Sequence, residues 1–248
     1  MRILQGTPVS GGVAAGPVCI FAAQVLSPPV QCGCGFEQEC ARLHGAQADA
    51  AGQLQHLYQD AQQRVGYDAS LIFQMHLALL EDPSFLGDIL SCLQQENTSA
   101  EYAVWCAGRH YYRIFESMEN PYMRARSEDV LDVSRCLLRC LDPAVVPDAF
   151  RGKPEGSILC VPHALPSVVM QMQARGVQGI LTQYGSYDSH SAILARCLGL
   201  PAVVALGAAF EELKPAGRVI VDGSFGRVYV DPDEETCVSY AKGSEQSN

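Results

Sequence analysis

The chain has 248 residues, 48% of them apolar and 18% charged, with a formal net charge of −10 at pH 7 and a pI near 5.0. That length can bury a full core in one large domain or two small ones, and the acidity argues against non-specific binding to nucleic acid, which needs a basic patch. No apolar run approaches the roughly 20 residues that span a bilayer, and the opening MRILQGTPVSGG lacks the charged and apolar regions of a signal peptide, which predicts a cytoplasmic protein without membrane insertion.

From Ile3 to Phe21 short apolar stretches alternate with Gly6, Pro8, Gly11, Gly12, Gly16 and Pro17, a pattern of strand, glycine-rich turn and strand. From Phe36 to Val65 the positions Phe36, Cys40, Leu43, Ala50, Leu54, Leu57, Ala61 and Val65 recur at steps of three and four, the buried stripe of a long amphipathic helix. A second helix is predicted over 69–81. Asp82-Pro83 then supplies a capping carboxylate and a first-turn proline for a third, through Leu93. Thr98 and Glu101 have the spacing of a capping box ahead of a helix carrying Val104, Tyr111, Ile114, Phe115 and Met118. A fifth helix is predicted from Ser127 to Leu141, before Asp142-Pro143. The stretch 33–142 therefore reads as a compact antiparallel helical bundle.

After Pro147 the texture becomes α/β. Strands are predicted at 157–161, 179–182 and 202–205, helices at 166–175 and 189–198, and a closing hairpin joins 218–222 to 227–230 through Gly223-Ser224-Phe225-Gly226. The simplest architecture is one α/β domain, 1–32 plus 143–235, with the bundle 33–142 inserted, and a polar, disordered tail over 236–248.

Eleven cysteines are spread along the chain and are read mostly as small buried hydrophobes kept reduced in a cytosol. Cys32, Cys34 and Cys40, even with His44, do not have a familiar metal-ligand spacing, so no metal site is predicted. His76, beside Met75 and Leu77, reads first as a satisfied helix histidine, and His163 as a loop histidine. Glu81 with Asp82, or Glu128 with Asp129, are sequence neighbours on helices whose side chains diverge, which disfavours acid/base pairs. Trp105, Tyr111 and Tyr112 read as core and rim.

The richest stretch is Gly185 to Gly207, GSYDSHSAILARCLGLPAVVALG. Ser189 is a good N-cap, which places His190 in the first turn of a helix with the stripe Ile193, Leu194, Cys197 and Leu198. The positive end of a helix favours a bound dianion such as a phosphoryl group and leaves a neutral ring nitrogen available as a nucleophile.

Gly185, Ser189-His190-Ser191, Ile193-Leu194-Ala195-Arg196, Leu198 and Leu200-Pro201-Ala202-Val203-Val204 resemble the phosphohistidine signature of phosphoenolpyruvate-utilising enzymes. Phe73, His76, Leu79-Leu80-Glu81-Asp82 and Leu86 resemble the helix of Enzyme I, of the bacterial sugar phosphotransferase system, that docks the carrier protein HPr. Tyr122, Arg126, Asp129, Asp132, Arg135 and Leu137-Leu138 resemble a later helix of the same bundle. Gly6 to Gly16 and the closing hairpin resemble its strands, so the likeness to the N-terminal half of Enzyme I runs nearly the whole chain. It implies a swivelling α/β phosphohistidine domain with an inserted helical HPr-binding subdomain. It also implies His190 as the phosphoryl carrier, Gly185, Ser167, Asp188, Ser189 and Ser191 around the phosphate, and Phe73, His76, Leu80, Glu81, Asp82 and Arg126 at the partner. The family's Mg²⁺ and phosphoenolpyruvate are bound by a separate barrel, so no cofactor is expected in this chain, and phosphate would be exchanged with HPr or received from a barrel in trans. A monomer is expected, since the family's dimer contacts belong to that barrel.

The chain departs from the family where Gly-Gly-Arg-Thr-Ser-His becomes Gly185-Ser186-Tyr187-Asp188-Ser189-His190, and where Asp-Leu-Thr-Pro-Ser becomes His163-Ala164-Leu165-Pro166-Ser167. A carboxylate about 6 Å from a phosphoryl dianion costs about 1–3 kcal/mol unless it points away or is paired. The rival expectation is a degenerate relative that binds HPr without phosphoryl transfer. A swivelling domain of a pyruvate phosphate dikinase or phosphoenolpyruvate synthase shares the His190 segment but not the helices.

Overall fold

The computed structural model describes residues 1–21, 27–30, 35–96, 98–146, 148, 150, 155–214 and 216–244. Cys32 and Cys34, and the expected domain junction at 32–33, lie outside these residues. Two compact units are present, Met1–Ala23 with Ala149–Asn248, and Gln24–Asp148.

The first unit is an eight-stranded mixed sheet. Its strands are β1 (Arg2–Gln5), β2 (Thr7–Ser10), β3 (Val13–Ile20), β4 (Ile158–Val161), β5 (Gly179–Thr182), β6 (Ala202–Val204), β7 (Arg218–Asp222) and β8 (Arg227–Val230), in the spatial order β1-β8-β7-β3-β4-β5-β6-β2. The run β3-β4-β5-β6 is parallel, whereas β7, β8 and β1 continue antiparallel on one side and β2 on the other. Every residue of β4 and β5 is buried, as continuous apolar runs in a parallel sheet should be. Helix α6 (Pro166–Met172) makes the crossover from β4 to β5, and α7 (His190–Cys197) the one from β5 to β6. Ile158, Leu181, Val203, Phe210, Val221 and Val228 lie in one continuous core.

β1 and β2 occupy opposite edges of the sheet, yet only Gly6 separates them in the chain. Consecutive Cα atoms are about 3.8 Å apart, so the sheet must roll until its edges meet at Gly6. The Gly6 amide donates to the Gly226 carbonyl at 2.9 Å. A Cβ added there would stand 2.6 Å from Val203 Cγ1 and 2.7 Å from the Val204 carbonyl oxygen. Sequence pattern suggested one strand ahead of the glycine turn, because nothing in the apolar pattern marks this edge-to-edge step.

The second unit comprises α1 (Phe36–Arg64), α2 (Tyr67–Leu80), α3 (Pro83–Glu96), α4 (Ala100–Glu116) and α5 (Pro121–Leu141). Leu43, Ala50, Leu54 and Ala61 of α1 are buried as the stripe requires, together with Phe73, Phe85, Val104 and Val133. Asp82 caps α3, accepting from the amides of Ser84 at 2.8 Å and Phe85 at 3.0 Å.

Five expectations are corrected. The cap of α4 is Ser99, which accepts from Tyr102 N at 3.1 Å, rather than Thr98, and Glu101 turns instead to Arg42. Buried Glu39 accepts from both Arg42 and the Ala100 amide, so a remote carboxylate does what a capping-box glutamate would have done. Helix α5 begins at Pro121 behind the N-cap Asn120, six residues before the predicted start, since Asn-Pro is a start signal independent of the apolar stripe. The helical unit also extends past 33–142: Pro29 and Val30 carbonyls accept from Ser99, and Val145 and Val146 are buried. Finally, 236–248 is not a disordered tail through its described part. Helix α8 (Glu234–Ser244) starts there, held by the Tyr240 hydroxyl at 2.8 Å from that of Tyr229 and 3.0 Å from Asp222 Oδ2. Residues 245–248 lie outside the described set. Among the described cysteines only Cys160 is fully buried, so most are half-buried rather than core residues.

The seam at Gly6 makes a local prediction. Gly6→Ala should lower stability by about 1–3 kcal/mol through overpacking. Gly45→Ala, at an exposed position of α1 with no atom within 4 Å of its added Cβ, should raise it by about 0.5–1 kcal/mol. Urea denaturation of the two variants beside the native chain measures both shifts, and equal midpoints would refute the seam.

Candidate functional site

Strand β5 ends at Thr182, and eight positions later the chain re-enters a helix at His190. Gly185 in this loop has φ +118°, a backbone conformation that L side chains rarely adopt. Ser189 is extended at φ −66° and ψ 152°, and its Oγ accepts from Ala192 N at 3.3 Å and lies 3.0 Å from Ser191 Oγ. The side chain of His190 is half-buried at the first position of α7, where the partial positive charge of the helix end is concentrated. From the seam strand β2, buried Ser10 donates its hydroxyl to the Ala195 carbonyl at 3.3 Å, tying α7 to the edge of the sheet.

The altered loop has its own order. Arg196 lies with its guanidinium 4.3 Å from the centre of the Tyr187 ring and donates through Nη1 to the Tyr187 carbonyl at 2.9 Å. A cation is thus held beside the loop from which the signature's own arginine is missing. Arg196 belongs to the signature in the sequence, but no spacing rule links it to Tyr187, so this pairing was not foreseen. Asp188 is exposed and has no ion-pair partner among the described residues. Ser189 and Ser191 are brought together. Ser167 is half-buried in the first turn of α6, its carbonyl accepting from Gln171, and α6 packs on α7. Leu165, which caps no amide with its side chain, is buried. His163 stacks on Tyr184 with ring centres 5.0 Å apart at 25°, an aromatic contact that sequence reasoning missed.

In the helical unit the expected partner-binding set divides. Phe73, His76 and Leu80 are buried on α2, and His76 also lines the cleft around Arg126. His76 lies between two carboxylates, with Nε2 3.2 Å from Asp129 Oδ1 and Nδ1 3.8 Å from Asp132 Oδ2, and meets the Phe73 ring edge-on. An imidazole with buried acidic partners is better satisfied inside than at an interface. Glu81 is exposed at the end of α2, and half-buried Asp82 faces the α3 amides. Arg126 lines a cleft of ≈ 250 Å³ with Met75, Leu79, Phe115 and Met123, all half-buried. Its guanidinium meets Met75 Sδ at 2.9 Å and Asp129 Oδ2 at 3.6 Å, stacks 4.8 Å over the Tyr122 ring and bonds the Tyr122 hydroxyl. Met75 and Leu79 are one turn apart on α2, so they form an outer face that the apolar count alone could not separate from the inner one.

Comparison with known proteins places these features in context. Residues 5–126 match the family of PEP-utilising enzyme, N-terminal, and residues 153–226, which include His190, match the PEP-utilising enzyme, mobile domain. The phosphoenolpyruvate-protein phosphotransferase of Priestia megaterium is 32% identical over 245 residues, covering 96% of this chain and 42% of that protein. Its counterpart in Staphylococcus carnosus (strain TM300) is 30% identical, covering 98% and 42%. The chain therefore spans about two-fifths of the length of these relatives. The solution structure of Enzyme I (nEIt) superposes with a TM-score of 0.69 at 29% identity, covering 98% of both chains. The N-terminal domain of Enzyme 1 - Nitrogen shares the fold, with a TM-score of 0.62 at 22% identity. With both matched domains and relatives along almost its whole length, the chain belongs to the phosphoenolpyruvate-utilising enzyme family and corresponds to the N-terminal part of its phosphoenolpyruvate-protein phosphotransferases.

Proposed function

We propose that the chain is a phosphoryl carrier that exchanges phosphate between His190 and an HPr-type protein. The observation that carries this reading is the half-buried imidazole at the N-terminus of α7 within the matched mobile domain. A neutral ring nitrogen of His190 attacks phosphorus on the phosphorylated carrier. A new N–P bond forms, the old one breaks, and its electron pair returns to the carrier's imidazole. There is little covalent work for the protein beyond placement and charge. The positive end of α7 favours the incoming dianion, the hydroxyls of Ser189 and Ser191 lie in the same turn, and Arg196 adds a cation beside the loop. Asp188 opposes it, but as an exposed group its charge is screened by solvent.

In this reading the carrier docks on the outer face of the helical unit, at Met75, Leu79, Phe115, Met123 and Arg126, where apolar side chains surround a guanidinium paired with Asp129. Glu81 lies at the neighbouring end of α2 and supplies a charge for orientation. Phosphoenolpyruvate and Mg²⁺ are assigned to a separate barrel domain, and the swivel of the α/β unit belongs to delivery between that barrel and the carrier.

Incubation with radiolabelled phospho-HPr should leave an acid-labile, base-stable phosphate on the chain, and His190→Ala should abolish it; label persisting on the variant would end the proposal. Asp188→Thr should raise the equilibrium constant for phosphorylation about two- to fivefold, the part of the repulsion that solvent screening leaves. An unchanged fraction would mean that the carboxylate does not sense the phosphoryl group. For docking, Leu79→Asp and Arg126→Ala should each weaken HPr binding, measured by calorimetry, by about tenfold or more, with Phe36→Ala, an exposed residue outside the cleft, as the unaffected control.

A further inference from the structure

Helix α5 carries two half-buried cysteines, Cys136 and Cys140, four residues apart and therefore on one face. Gln53 of α1 faces both of them. Its Nε2 donates to Cys140 Sγ at 3.3 Å, and its Oε1 accepts from the Cys136 thiol at 3.8 Å. Hydrogen bonding from Cys136 holds the Cys140 thiol below its ordinary range, helped by Arg139 and Gln53 against burial and Asp49. The same bond, with burial, pushes the Cys136 thiol up. The pair thus has one ready nucleophile and a second thiol on the same helix face.

Two other uses of a thiol pair fit poorly. Helical neighbours four apart have Cβ atoms about 5–6 Å apart, whereas a disulfide needs about 3.5–4.5 Å. Direct oxidation would require the last turn of α5 to open. Structural zinc takes four ligands, and among the described residues no cluster of three or more His, Cys, Asp or Glu is placed to hold a metal. What suits two thiols on one helix face, both held by the same glutamine, is a single soft atom bound between them.

We propose that Cys136 and Cys140 form a two-thiol site for a soft thiophilic centre of the trivalent arsenical class, positioned by Gln53. With an organoarsenic(III) oxide the Cys140 sulfur attacks arsenic first and Cys136 closes the chelate. Two As–S bonds form, and the oxygen leaves as water with the two thiol protons. Arsenic remains trivalent, so no oxidant or reductant is required. This site is independent of the phosphoryl reading.

The test is titration of the full chain with phenylarsine oxide, comparing native with Cys136→Ser, Cys140→Ser and the double variant, each change replacing sulfur by oxygen. Cys32 and Cys34 provide a second close thiol pair in the sequence, so the readout is the difference between native and double variant. Native chain should retain one more arsenical than the double variant in excess monothiol, by intact mass. Each single variant should hold it about 10²- to 10⁴-fold more weakly, the loss expected when a two-point attachment becomes one-point. In the native protein, which removes any doubt about folding of the variants, Cys136 and Cys140 should be protected together from alkylation. Equal arsenical counts in native and double variant, or alkylation of both thiols at the unprotected rate, would overturn the proposal.

Discussion

Gly6 carries the chain from one edge of the sheet to the other, and no residue with a side chain fits there without displacing Val203 or the Val204 carbonyl. The rolled sheet follows from that step. With the edges joined, β2 lies beside β6, and its Ser10 reaches the Ala195 carbonyl of α7. The helix that begins at His190 is therefore anchored by β5 and β6, which it connects, and by the seam strand. A phosphoryl carrier needs a nucleophile on a rigid support more than it needs an enclosed cavity, because the chemistry is placement and charge.

Among the described residues of the helical unit, two sets of buried polar groups tie helices together. Glu39, Arg42 and Glu101 join α1 to the start of α4, and His76, Asp129 and Asp132 join α2 to α5. Well-packed apolar groups would stabilise as much or more. What the polar sets add is register, since each bond is satisfied in one arrangement of the helices. The inner face of α2 is then committed to the core, and its outer face, Met75 and Leu79, is left beside Arg126.

Features dictated locally were legible in the sequence. Asp82-Pro83 starts α3, the β-branched runs at 218–222 and 227–230 form the hairpin, and Ser189 caps α7 with His190 next to it. Features decided by distant partners were not. Thr98 and Glu101 have the right spacing for a capping box, but Arg42, about sixty positions away, draws Glu101 aside. His76, Phe73 and Leu80 share the apolar stripe of α2 with surface-facing neighbours, and only the positions of Asp129 and Asp132 decide which side is inside. Polar 234–244 becomes a helix because Tyr229 and Asp222 meet Tyr240. Arg196 meets Tyr187 across nine positions, a separation with no local rule.

The sheet also fixes an order of events during synthesis. β1 pairs with β8, and Gln5 bonds the Phe225 carbonyl 220 positions later. Strands β1, β2 and β3 have no partners until residues 158–230 have been made, whereas α1 to α5 have theirs within Gln24–Asp148. Three unpaired β-strands must wait in the nascent chain while the helices assemble, and unpaired strands are prone to aggregate. The glycines and prolines at 6, 8, 11, 12, 16 and 17 serve that interval as well as the final fold, because a segment so interrupted is a poor template for intermolecular pairing.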